Sequence, residues 1–231
     1  MKLLGITVLV QENPEDMESV IGHKLILQFE HVHFSYPGQA VFNNVCAHIP
    51  PGLTVIQGDE NTGKSTLLNL IAGKWSVSSG VIRSPLLGLP DNAPLLKHHY
   101  FLVGDDAEDW ESRSPRAFFE HCRSKYKMVD SQVLEELVEA FGLREHVEKN
   151  MFMLSRGSKR KVWLVAAFAA GAPITLIDDP FIALDHQSVC LLKDLINETA
   201  EWKDKALIIT QHVGDAELNP THLIDLNKAH S

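Results

Sequence analysis

Gly58-Asp59-Glu60-Asn61-Thr62-Gly63-Lys64-Ser65-Thr66 is the stretch that decides how the rest of the chain is read. It fits G-x-x-x-x-G-K-[ST], and its setting fits as well. Leu53–Gln57 ahead of it is a short apolar run of strand character, and Ser65–Ala72 behind it has helical patterning. In that frame Gly58 and Gly63 let the backbone curl. Successive N–H groups between Gly58 and Thr66, those of Asp59, Glu60, Asn61 and Thr62 among them, then point at phosphate oxygens. Lys64 brings a positive charge between the β- and γ-phosphates, and Ser65 offers a hydroxyl to Mg²⁺. The helix N-terminus adds its own positive end. The stretch therefore predicts a cradle for a nucleoside triphosphate.

A triphosphate cradle needs a second, acidic element to hold magnesium. Ile174-Thr175-Leu176-Ile177-Asp178-Asp179-Pro180 is an apolar strand ending in two carboxylates. Asp178 is placed to bind the metal through water, and Asp179 to face the γ-phosphate and orient or deprotonate the attacking water. Paired acids at a strand end mean little alone; beside the glycine loop they complete a site.

Working outward, Leu25, Leu27 and Phe29 alternate in strand fashion from Lys24 onward. A turn at Tyr36-Pro37-Gly38 leads to a second strand-like run, Ala40–Ile49, and Pro50-Pro51-Gly52 turns the chain again. Between Asp105 and Asn150 the sequence is polar and helical. Asp130 is placed to cap a helix whose apolar stripe is Val133, Leu134, Leu137, Val138 and Phe141, with Gly142 as its stop. Strand–helix alternation then returns: Ile174–Ile177, a helix over Gln187–Ala200, a strand over Ala206–Thr210, and a last strand over Leu223–Leu226. This order predicts an α/β core with a mainly parallel sheet. Residues 1–23 read as an N-terminal extension, an appended strand or loose tail, with a polar break at Gln11–Asp16.

The 231 residues carry a formal net charge of -9, with 45% hydrophobic and 22% charged residues. That is ordinary globular composition, and the acidic balance opposes a nucleic-acid-coating role, which needs Lys and Arg against phosphate. Cys46, Cys122 and Cys190 are widely spaced and read as reduced thiols of a cytoplasmic protein. His31, His33, His98 and His99 lack carboxylate or cysteine neighbours at ligand spacing, so a histidine metal site is not expected. No apolar run is long enough to span a bilayer; Val162–Ile177 is broken by Gly171 and Pro173.

The order of glycine loop, Leu154-Ser155-Arg156-Gly157-Ser158, Asp178-Asp179-Pro180, Ala183-Leu184-Asp185 and His212 resembles the ATPase subunits of ABC transporters. The resemblance covers about Lys24 to the C-terminus. It implies a P-loop NTPase core with a mainly parallel sheet, an N-terminal antiparallel β subdomain and a small helical subdomain at 105–153. It implies ATP and Mg²⁺ as cofactors. It also implies a head-to-tail homodimer, or a pair with a related ATPase subunit, in which Ser155 and Gly157 contact the γ-phosphate of ATP held by the other copy. Tyr36 matches the aromatic that stacks on adenine, Ala183–Asp185 the loop that passes signals across the dimer, and His212 the histidine that hydrogen-bonds the γ-phosphate. An integral membrane permease is the implied partner, which puts the chain on the cytoplasmic, inner face of the membrane. The run Asp179–Asp185 is also loosely similar to that of the haem-exporting members of the family.

The sequence departs from the family at three places. Asp179 stands where the family has Glu, which draws the carboxylate back by roughly 1.5 Å, one carbon–carbon bond. A displacement of about 1 Å can cost on the order of 100-fold in rate, so binding is expected to survive better than hydrolysis. The family's Q-loop glutamine is absent; Asp105 or Asp106 stands there as an alternative oxygen ligand for Mg²⁺. Arg156 and Ser158 replace Gly and Gln of the signature. Two readings follow: a transporter motor, or a module that binds ATP and scarcely hydrolyses it.

Overall fold

The computed structural model describes residues 7–9, 25–89, 91, 98–105, 107–212 and 218–227. Two sheets share the work. The first runs β1 (Thr7–Leu9), β3 (Gln39–Ile49), β2 (Leu27–Tyr36) and β5 (Ser79–Arg83) from edge to edge. β2 pairs antiparallel with both β3 and β5, whereas β1 joins β3 in parallel, Thr7 opposite Asn43. A three-residue strand of the extension therefore belongs to this sheet; the polar break expected at Gln11–Asp16 lies outside the described residues.

The second sheet has five strands in the order β6 (Tyr100–Leu102), β7 (Ile174–Ile177), β8 (Ala206–Gln211), β4 (Gly52–Gln57), β9 (His222–Asp225). Every pairing in it is parallel, with Ile177 opposite Ile209 and Val55 opposite both Ile209 and Leu223. Its central strands are buried on both faces, which is why they read as unbroken apolar runs. Alternation along β8 divides two cores. Leu207 and Ile209 pack on the helical side, while Ala206 and Ile208 face the first sheet and the helix that follows the glycine loop.

That helix, α1, spans Lys64–Ile71 and starts one residue earlier than its apolar pattern suggests. Two helices fill the middle segment: α2 (Pro115–Lys125), capped by Ser114, and α3 (Ser131–Ala140). The Asp130 carboxylate accepts from the N–H groups of Gln132 and Val133, as its position before the apolar stripe requires. Leu134, Leu137, Val138 and Phe141 of that stripe are buried. The long helix α4 (Arg156–Ala169) sends Val162, Leu164 and Val165 into the same core, and α5 (His186–Glu198) adds Leu192 and Ile196. The ends of β4, β7 and β8 thus open onto one edge, where the glycine loop, the two aspartates and His212 emerge.

Candidate functional site

The glycine loop is shaped by its own atoms. Lys64 Nζ donates to the carbonyl oxygens of Gly58 at 2.7 Å and Asp59 at 2.8 Å, and the Thr62 hydroxyl donates to Asp59 O at 2.9 Å. Asn61 and Gly63 adopt positive φ of 62° and 98°. A methyl group on Gly63 would sit 2.9 Å from the Phe42 ring, and one on Gly58 would sit 2.5 Å from Thr62 Oγ1. Side chains are excluded from the inside of the curl, leaving backbone N–H groups and the lysine as its lining. Thr62, Lys64 and Thr66 are buried, whereas Glu60, Asn61 and Ser65 face outward.

Around this loop lies an open cavity of about 480 Å³. Tyr36, Glu60, Asn61, Gly63, Lys64, Ser65, Thr66, Asp179 and His212 line it, with Gln39 and Val41 on its rim. Five separate segments converge here, and most of the residues singled out in the sequence are among them. Tyr36 is tied to the loop helix, its hydroxyl 3.3 Å from Thr66 Oγ1, and its ring meets Trp75 edge-on at 5.3 Å.

The acidic pair is held from outside its own strand. The Thr210 hydroxyl on β8 accepts from Asp179 N–H at 3.0 Å and donates to Asp178 Oδ1 at 2.5 Å. One side chain therefore fixes both the backbone of one aspartate and the carboxylate of the other. Arg160 Nη2, from α4, donates to the carbonyl oxygens of Asp178 at 2.6 Å and Asp179 at 3.0 Å. Burial, then repulsion from Asp178, raises the Asp179 carboxyl above its ordinary range, against the pull of His212, Lys64 and Arg160. Burial lowers the Arg160 pKa, which Asp178 and Asp179 partly restore and Arg156 opposes. Neither Thr210 nor Arg160 was singled out in the sequence. Their faint signals are a hydroxyl ending the buried run Ala206–Ile209, and an arginine inside Lys159–Lys161 on a helix whose next residues are apolar.

The other expected residues lie elsewhere. Ser155 caps α4, accepting from Ser158 N–H at 3.0 Å, and is exposed. Gly157 sits under the loop after β7: a Cβ there would meet Ala183 O at 2.6 Å. Neither residue lines the cavity of the glycine loop. Asp105 does not line it either. Its carboxylate pairs with Lys74 at 2.5 Å and borders a different cavity, of about 570 Å³, between β6, α2 and α4. The alternative, Asp106, lies outside the described residues.

The residues present fit a magnesium-bound triphosphate. The curl accepts only backbone and lysine, and Ser65 stands open beside it. Among the described residues no three His, Cys, Asp or Glu side chains converge. Magnesium here would thus be completed by phosphate oxygens and water, as that ion prefers.

Residues 42–182, more than half of the chain, match the family model described as ABC transporter. The chain belongs to the ABC transporter ATP-binding family. It is an ATP-binding subunit and an ATPase, with ATP and Mg²⁺ as its cofactors. Among its relatives is the taurine import ATP-binding protein TauB of Escherichia coli K12, 28% identical over 208 residues that cover 87% of this chain and 80% of TauB. CbiO1 of Clostridium perfringens, part of the cbiONQ transporter complex, superposes with a TM-score of 0.62 at 21% identity, over 82% of this chain and 79% of CbiO1. A dimeric ATP-binding cassette, MJ0796, bound to ADP and Pi, gives 0.67 at 20% identity over 80% of this chain and 87% of that one. These two solved structures establish the fold. Subunits of the family pair with membrane components and dimerise, and no helix among the described residues is long and apolar enough to cross a membrane.

Proposed function

We propose that this chain is the hydrolysing motor of a transporter, working as a nucleotide-sandwich dimer on the inner, cytoplasmic face of a separate membrane permease. The observation that carries the reading is the convergence of Tyr36, Lys64, Ser65, Asp179 and His212 on one cavity while Ser155 and Gly157 stand outside it. A site split in this way needs a second copy to supply the serine and glycine.

In this reading the N–H groups from Gly58 to Thr66 and the Lys64 ammonium bind the phosphates, and Tyr36 takes the adenine on its ring. Ser65 and Asp178 would hold magnesium, which would supply positive charge against the phosphates, and the Thr210 hydroxyl fixes the Asp178 carboxylate for that role. Asp179 accepts the proton of the attacking water and His212 donates to the γ-phosphate. The upward push on the Asp179 carboxyl suits a base, because it raises the group's proton affinity. Asp105, paired with Lys74, has no part in this scheme.

Phosphate release from Mg-ATP by purified protein, with the Asp179→Asn variant beside it, tests the reading. Wild type should turn over, and Asp179→Asn should lose on the order of 1000-fold in kcat while still binding ATP, the usual weight of a general base. If wild type binds ATP but neither it nor Asp179→Glu releases phosphate, with or without a membrane partner, the motor reading is wrong and a binding module remains.

A further inference from the structure

Arg160 is used by no part of the scheme above, yet it makes the closest contacts that any basic side chain makes to the acidic turn. Its guanidinium Nη2 donates to Asp178 O at 2.6 Å and to Asp179 O at 3.0 Å. Asp179 itself sits at φ 43°. That conformation is disfavoured for an L-residue, even though Asp tolerates it better than most. The proline that follows, Pro180, narrows the choices of Asp179 further. A turn that runs against its own local preferences holds its shape only when neighbours over-determine it. Here the neighbours are Thr210, which takes the Asp179 N–H, and Arg160, which takes both carbonyls.

The arginine is also placed at a disadvantage for any merely space-filling role. It is half-buried, its Nε is sealed from solvent with no hydrogen-bond partner among the described residues, and Arg156 repels it. Such a group is a poor source of stability. It does, however, tie the turn to α4, the helix that Ser155 caps and whose Gly157 lies close against Ala183 O.

We propose that Arg160 is a positioning residue for ATP hydrolysis: by clamping the two carbonyls it holds Asp179 at its left-handed turn and sets where the shortened carboxylate reaches. The proposal rests on the reading of Asp179 as the base. It implies that the helix carrying Ser155 and Gly157 also fixes the base of its own chain's cavity, so one rigid element serves both halves of the split site.

The test uses full-length Arg160→Met, which keeps bulk and removes the Nη2 group that bonds both carbonyls, and Arg160→Lys, which keeps the charge and a donating nitrogen in case the first variant misfolds. ATP affinity, kcat and KM are measured together with amide hydrogen exchange of nucleotide-free protein. Arg160→Met should speed exchange over residues 178–184 by about tenfold or more and lower kcat by roughly 10- to 100-fold, the scale of a 1 Å misplacement. KM, ATP affinity and exchange over residues 58–66 should stay within about twofold, since the bonds that hold the glycine loop come from its own residues, Asn227 and Tyr36. Arg160→Lys should recover part of both losses. Unchanged exchange over 178–184 in both variants overturns the clamp. Faster exchange with unchanged kcat overturns its bearing on hydrolysis. Equal losses in kcat and ATP affinity reduce Arg160 to a fold residue. A wild type that never turns over sinks the Asp179 reading instead, and with it the positioning role, while the exchange result still reports whether the clamp exists.

Discussion

The glycine loop and the turn that carries Asp179 line one cavity, yet they are built in opposite ways. The loop Gly58–Thr66 draws most of its bonds from within itself, with Asn227 Oδ1 accepting from Asp59 N–H and the Tyr36 hydroxyl meeting Thr66 as its two outside supports. Its lysine, its threonine and its glycines satisfy one another within nine consecutive residues. The turn Asp178–Asp179 depends on others: Thr210 lies 32 residues from Asp178 in the chain, and Arg160 lies 18 residues from it. The shape of the loop is thus mostly a local property of this sequence, and the shape of the turn a tertiary one. Damage should therefore spread differently from the two regions.

The largest separation comes from Lys64→Ala. It removes the charge proposed to meet the phosphates and both internal bonds to Gly58 O and Asp59 O. Charge-assisted bonds are worth about 1.5–3 kcal/mol each, so ATP affinity measured by titration calorimetry should fall on the order of 100-fold. Exchange over residues 178–184 should not change, because the hydrogen bonds that hold the turn come from Thr210 and Arg160. If that turn loosens as well, the two regions are one unit and the contrast is false.

Thr210→Val probes the turn. The shape is nearly kept, but Asp179 N–H loses its acceptor and the Asp178 carboxylate its donor. An unsatisfied buried group costs about 1–3 kcal/mol, and for a domain of this size each kcal/mol lowers Tm by roughly 2–4 °C. Turnover should drop about tenfold with ATP affinity held, a kcat loss without a KM change. A variant that keeps full kcat would show that Arg160 alone suffices to hold the turn.

The same contrast explains what could be read from the sequence. The glycine loop announced itself because the bonds that shape its curl run between neighbours in sequence, and so did the strands on which it rests, since β4, β7 and β8 are buried on both faces and written as apolar runs. Asp130 as a helix cap was legible for the same reason. Thr210 and Arg160 were not, because a hydroxyl at a strand end and an arginine in a basic run each have ordinary explanations until the fold brings them to the aspartates. At Asp105 the local reading and the fold point in different directions. An acid at the place of the family's glutamine looked like a metal ligand, but the chain folds Lys74 onto it. The parallel addition of Thr7–Leu9 to β3 depends on partners 36 or more residues away, and a three-residue strand has no periodicity to betray it.

The smallest effect is expected at Asp185, which tests whether α4 grips the segment after β7 through more than Arg160. Its Oδ1 accepts from Ser188 N–H at 2.9 Å, capping α5, and its Oδ2 pairs with Lys161 of α4 at 2.6 Å. The bond from Lys161 and the two from Ser188 hold the Asp185 carboxyl well below its ordinary value of 3.8. A carboxyl whose folded pKa is depressed stabilises the protein fully above its unfolded pKa and loses that contribution as pH falls through the folded one. The side chain is 56% exposed, so the ion pair itself counts for little, and the cap dominates, worth about 1 kcal/mol. Asp185→Ala should then lower Tm by roughly 2–4 °C at pH 7 and leave kcat within about twofold, while Asp185→Asn, which keeps the cap, should cost less. Both differences from wild type should shrink as the pH falls below 3.8. A kcat loss in Asp185→Ala as large as that of Thr210→Val would mean that the loop Ala183–Asp185, pressed on Gly157, steers the base as firmly as the bonds to the turn itself.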